Sequence, residues 1–121
     1  MYEYQARLMN VVDGDTFDVT VDLGFRIHRE IRLRLGGIDT HETHGVPKDS
    51  EEYQKGMEEK QFVETWFENV GPDEQEWPFV IRTEKTGKFG RYIAEVERKA
   101  DGGILNDDLV TEFGDEIRYP E

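Results

Sequence analysis

Four short segments of this chain carry residues able to do chemistry: Asp13-Gly14-Asp15-Thr16, Arg34, Asp39-Thr40-His41-Glu42-Thr43 and Lys88-Phe89-Gly90-Arg91. They supply carboxylates and arginines, most of them at the ends of predicted strands. Asp15 and Asp39 are 24 residues apart, and a strand meander between them would bring both to one rim of a small barrel. Two carboxylates with backbone carbonyls and waters suit an oxygen-seeking cation such as calcium or magnesium. Asp13 is either a third carboxylate ligand or a group outside the ligand set; Asp-Gly-Asp-Thr is also good turn sequence with no ligand at all. Arg34 and Arg91 carry planar, permanently charged forks that match phosphate geometry and could stabilise charge on a pentacovalent phosphorus. Arg34 could equally snorkel to solvent. Glu42, three residues past Asp39, could orient or deprotonate a water for in-line attack. His41 and His44 flank it and raise a rival arrangement, a transition-metal site of imidazoles with Asp39. His28 has no evident partner in the sequence.

The elements that must position these residues can be read from periodicity. Residues 3–12 alternate roughly as a strand and end at the Asp13-Gly14 turn signal. Residues 16–23 alternate strictly, with Phe17, Val19, Val21 and Leu23 on one face. Residues 27–35 form a third strand that breaks at Gly36-Gly37, and residues 39–49 are a loop. A long helix is expected over 50–69, with Asp49 as N-cap and Glu52 as its capping-box partner. Tyr53, Met57, Val63, Trp66, Phe67 and Val70 would share its apolar face, and Gly71-Pro72 would end it. A fourth strand fits Phe79–Thr83 and a fifth Arg91–Glu97. A short helix follows, with Asn106 as cap and Leu105, Leu109, Val110 and Phe113 on its apolar side. This order predicts an α+β barrel with helices: a five-stranded Greek-key barrel of the OB type with one long and one short helix. One domain is expected, with its core at about 3–114 and a loosely ordered tail at 115–121.

The 121 residues include no cysteine, which excludes disulfides, thiolate metal sites and cysteine nucleophiles. No signal-peptide pattern and no membrane-length apolar run is visible, so a cytoplasmic or virus-encoded protein is expected. The charge is the unusual bulk feature: 15 basic residues against 28 acidic ones, net −13. Proteins that grip nucleic acid along a basic face carry the opposite sign. Solubility explains the acidity, and so does adaptation to high salt. In about 1 M salt the Debye length is roughly 3 Å, so long-range repulsion from DNA would be screened and binding would rest on short-range contacts.

Taken in order, the segments resemble the staphylococcal nuclease (thermonuclease) family. The pattern is Asp-Gly-Asp-Thr after a strand, then an arginine five residues before Asp-Thr-x-Glu-Thr. A helix follows, and Lys-aromatic-Gly-Arg opens a later strand. The resemblance covers about residues 5–113. It implies an OB barrel that hydrolyses DNA and RNA with calcium, cleaving the P–O5′ bond to leave 3′-phosphate ends. Carried over by residue, Asp15 and Asp39 would be calcium ligands, with Thr40 adding its backbone carbonyl. Arg34 and Arg91 would clamp the scissile phosphate, and Glu42 would act on the attacking water. Lys88, Phe89 and Tyr119 would contact substrate. The expected partner is therefore a nucleic-acid substrate, with the chain a monomer away from membranes; magnesium or another divalent cation is the alternative to calcium. His41 stands in place of the family's usual proline, which is expected to loosen the loop carrying Glu42. Gly87 and Phe89 replace its frequent aspartate and tyrosine. The alternative is a catalytically silent OB module that binds nucleic acid or protein, free or as a virion-associated protein. Such a module would be expected to lose some of the five polar positions, and this chain retains all five.

Overall fold

The computed structural model describes residues 2–71, 76–86 and 92–119. Five strands, β1 (Tyr2–Asp13), β2 (Thr16–Asp22), β3 (His28–Leu35), β4 (Phe79–Thr86) and β5 (Tyr92–Arg98), close into a barrel in the order β1-β2-β3-β5-β4. All neighbours are antiparallel except β3 and β5, which run parallel with Arg34 opposite Ile93. This order and the mixed pairing are consistent with an OB-fold. Closure depends on β1, whose first half pairs with β4 and whose remainder pairs with β2. Register shifts between Leu8 and Asn10 and between Val11 and Asp13 bend the strand so that it can serve both neighbours.

Helix α1 (Glu51–Glu68) separates β3 from β4 and closes one end of the barrel. Phe67 meets Phe17 and Phe79 edge-on, at centroid distances of 5.0 and 4.8 Å, and Trp66 stacks on Phe79. Arg98, itself buried, lies over the Trp66 ring and donates to the Trp66 carbonyl near the end of α1. A cation there complements the helix dipole. The second helix, α2 (Leu105–Phe113), buries Leu105 and Leu109, with Val110 and Phe113 packed against the core.

Several local expectations are corrected. The N-cap of α1 is Ser50, whose hydroxyl accepts from the Tyr53 amide at 3.2 Å, not Asp49. Glu52 is thereby released from capping and serves the loop before the helix instead. Met57 is exposed, and the neighbouring inward positions are held by Gly56 and Glu59. Asn106 does not cap α2; its side-chain amide donates to the carbonyls of Gly36 and Ala94 and its oxygen accepts from the Val96 amide, tying the helix to β5 and to the turn after β3. Leu23, at the far end of its alternating face, is exposed. His28 finds an edge-on partner in Trp77.

The segment after α2 is not loose over its described length. A turn of 3₁₀ helix spans Asp115–Ile117, and Ile117 is 1% exposed in the core. Its carbonyl accepts from the Asp39 amide at 2.8 Å, Arg118 bridges to Ile38, and the Tyr119 amide donates to Gly37. One apolar side chain and these backbone bonds dock the segment onto the chain just after β3. Ile117→Ala is expected to destabilise the fold by about 2–5 kcal/mol, the usual range for emptying such a site. Urea unfolding checks this, and a loss below about 1 kcal/mol would mean that the docking is peripheral.

Candidate active site

The β1–β2 turn, the end of β3 and the loop after it meet beside α1. Thr16 pairs with Arg34 across the β2–β3 ladder, and the Leu35 amide donates to the Asp15 carbonyl at 2.9 Å. These bonds place the Asp15 carboxylate beside the Arg34 guanidinium. Gly14 lets the turn approach closely: a Cβ there would stand 2.8 Å from the Thr40 methyl.

Asp15 is buried. Its carboxylate accepts from the Thr16 hydroxyl at 2.9 Å and the Thr40 amide at 3.1 Å. One terminal nitrogen of Arg34 lies 3.9 Å from Asp15 and 3.5 Å from Asp39, and donates to the Ile38 carbonyl at 3.3 Å. The guanidinium carbon sits 5.3 Å from the centre of the Tyr119 ring. Arg34 therefore turns away from bulk solvent and joins two of the predicted ligand residues. Asp13, Asp15, Arg34, Asp39 and Glu42 all line one cleft of about 310 Å³, joined by Arg32. Arg32 is occupied elsewhere, forked onto Asp18. Lys88, Phe89 and Arg91 lie outside the described residues.

The cleft's electrostatics follow from crowding. Burial raises the Asp15 carboxyl above its ordinary value, against the lowering pull of Thr16, Thr40 and Arg34. Glu42 is raised first by desolvation and then by the charges of Asp13, Asp15, Asp39 and Glu52. A cation placed among these groups would relieve both. The donors expected from the sequence, Asp15, Asp39 and the Thr40 backbone carbonyl, are all hard oxygens, and both carboxylates line the cleft. The Thr40 hydroxyl oxygen is also buried, with no hydrogen-bond partner. Among the described residues, no three histidine or acidic side chains converge to hold a metal by themselves. A cation at this place would thus lean on two carboxylates, backbone oxygen and water, as a hard ion does.

The loop carrying Glu42 is held more firmly than its sequence suggests. The buried Glu59 of α1 accepts from the His41 amide at 2.7 Å and meets the His41 ring at 2.8 Å. The other ring nitrogen lies 3.0 Å from Glu116 in the docked C-terminal segment. The Glu42 amide donates to Glu52 at 2.7 Å. The Thr43 hydroxyl donates to Asp13, and His44 lies 3.7 Å from the same carboxylate. Gly56 allows the helix to touch the loop, since a Cβ there would stand 2.7 Å from the His41 carbonyl. The absence of proline at 41 therefore does not loosen the loop; an imidazole clamp takes its place. Both histidines point at carboxylates rather than at a shared metal position, and Asp13 acts as a fastener of the loop. Glu59 and Glu116 are the site-supporting residues that sequence reasoning missed. Glu59 sits in an acidic run that looks like a solvated helix face.

No protein-family model matches this chain, and no curated protein sequence matches it significantly. No helix among the described residues is long and apolar enough to cross a membrane.

Partial burial pulls the His41 ring down, but the Glu59 hydrogen bond and the charges of Glu59, Glu52 and Glu116 outweigh it and hold its pKa above 6.5. A raised histidine stabilises the fold fully below its unfolded value near 6.5, and that contribution is lost as pH rises through the folded value. Stability should therefore fall with rising pH above about 6.5, and His41→Gln should flatten this slope. Unfolding free energies across pH 5–9, with an NMR titration of the ring, measure both; an unshifted ring would refute the clamp's charge.

Proposed function

We propose that this protein is a divalent-cation-dependent phosphodiesterase acting as a monomer on DNA or RNA. The observation that carries the reading is the single Arg34 nitrogen shared by Asp15 and Asp39, in one cleft with Glu42. Arg34 is buried enough to interact strongly with a phosphate oxygen, and among the described residues its polar contacts fall on one terminal nitrogen. The rest of its fork could meet the non-bridging oxygens and neutralise the charge that builds on them. Glu42, its pKa raised by burial and neighbouring carboxylates, is a better proton acceptor than an ordinary glutamate. It would take the proton from a water as that water's oxygen bonds to phosphorus and the P–O5′ bond breaks. Arg91 would assist on the leaving side, a role that rests on the resemblance alone. A calcium ion bound by Asp15, Asp39 and the Thr40 carbonyl would supply Lewis-acid stabilisation of the phosphate. The chain's strong acidity supports binding through short-range contacts rather than along a broad basic face.

The test combines activity with stability. Single- and double-stranded DNA and RNA are incubated across salt with calcium, magnesium or chelator. Cleavage should require the divalent ion and fall about 10²–10³-fold in Glu42→Gln and in Arg34→Ala. In parallel, calcium should raise the melting temperature at pH 7 and far less at pH 4, where protons neutralise Asp15 and Glu42 instead. Asp39→Asn should remove that shift. Cleavage indifferent to chelator would refute the cation. No cleavage of any substrate would leave a binding module on the same barrel.

A further inference from the structure

The end of the barrel away from α1 carries features that the proposed cleavage does not use. A cavity of about 280 Å³ opens there, walled by Tyr2, Tyr4, Ile31, Tyr92 and Leu23, with Arg29 at its lip. The β2–β3 hairpin adjoins it. Tyr2, Leu23, Phe25 and Ile27 are all exposed, Phe25 at 97%.

The hairpin tip has an unusual backbone. The Ile27 amide donates to the Gly24 carbonyl, closing a turn whose two central residues are Phe25 (φ +54°) and Arg26 (φ +62°). Both lie in the left-handed region, as in a type I′ turn, where Asn-Gly is the favoured pair. A bulky aromatic is disfavoured there, and Phe25 gains no packing in return. Strain without intramolecular compensation is the signature of a residue kept for a contact.

The arginines point the same way. Arg7, Arg32, Arg34, Arg82, Arg98 and Arg118 each have a carboxylate partner. Arg26 and Arg29 have none among the described residues, in a chain of net charge −13. In a molecule with so many acids, two arginines thus stand without a carboxylate partner near an exposed phenyl ring.

From this we infer that the hairpin tip and barrel mouth form a second contact for single-stranded nucleic acid. A base stacks on Phe25, and Arg26 and Arg29 take neighbouring phosphates. The inference builds on the nucleic-acid reading of the cleft, yet it concerns a separate surface. The six steps of β2 from Thr16 to Asp22 span about 20 Å, and the turn carries Phe25 beyond its end. Only an extended strand can touch both places, so the contact should act on long substrates and not on short ones.

The double variant F25N/R26G tests this without threatening the fold, because it installs the pair the turn prefers. Its melting temperature should equal or exceed the parent's. Fluorescence anisotropy with a labelled single strand of about 16 nucleotides, the upper end of OB site sizes, is read in chelator at low salt. The variant should bind about tenfold or more weakly, and R29Q should also bind more weakly with a shallower salt slope. With calcium, cleavage of the long strand should show a raised KM in F25N/R26G, while cleavage of a dinucleotide stays at the parent's rate. Equal affinity of parent and variant, or no binding by the parent, overturns the inference. So does self-association of the parent that the variant abolishes while oligonucleotide affinity is unchanged, since the patch would then be an interface between copies. Weaker oligonucleotide binding with no cleavage by any form would leave this contact standing and remove the catalytic reading; normal cleavage with equal affinities would do the reverse.

Discussion

Repulsion among carboxylates is the constraint around which this molecule is built. Asp13, Asp15, Asp39 and Glu42 line one small cleft, and among the described residues Arg34 is the cation that answers two of them. Left to itself, such a cluster would splay apart. Each member is instead tied down by a bond from outside the cluster. Thr40 and Thr16 hold Asp15, Thr43 holds Asp13, the Ile117 carbonyl holds the Asp39 amide, and Glu52 holds the Glu42 amide. The anchors come from the helix, the turn and the far end of the chain. The fold thus acts as a frame that keeps like charges closer than they would choose to be.

The frame uses acids to hold acids. Glu59 and Glu52 on α1 secure a loop that itself carries negative charge. This works because they accept from backbone amides, and because the His41 ring brings a compensating proton between Glu59 and Glu116. Lys55 adds a second positive link, reaching Glu51 and Glu116 together. The acidic helix is therefore only partly a solvated face. Some of its carboxylates are structural: Glu52 and Glu59, two turns apart on one side of the helix, address successive residues of the same loop.

Much of the barrel was legible in the sequence. Strict alternation in β2 and β3, the Asp-Gly turn and the aromatic run of α1 specified five strands, one long helix and their order. The polar cluster was legible as well, because its residues fall at strand ends where a barrel gathers them. What stayed hidden depends on tertiary contacts. Asp49 and Asn106 look like caps by residue type, but Ser50 and a strand carbonyl pair win on geometry. Glu59 reads as solvent-exposed because helical periodicity cannot see a histidine arriving from a loop. The segment after Gly114 carries one aliphatic residue in polar company, too weak a signal for docking until Ile117 is seen filling a core position. Phe25 falls between the second and third strands in the sequence as well, but only the backbone reveals that it and Arg26 take the left-handed conformation there.

The docking of Ile117 has a consequence for the order of events during folding. Residues 37–39 take their backbone partners from 117–119, across most of the chain's length. The barrel strands and α1 can all form before that segment is made or brought back. Until it arrives, the backbone around Asp39 has no edge to pair with, and one acidic support of the His41 clamp is missing. The β1–β4 closure of the barrel is equally distant in sequence, so both pairings must overcome the entropy of a long loop, and the carboxylate centre is complete only when the far end of the chain has docked.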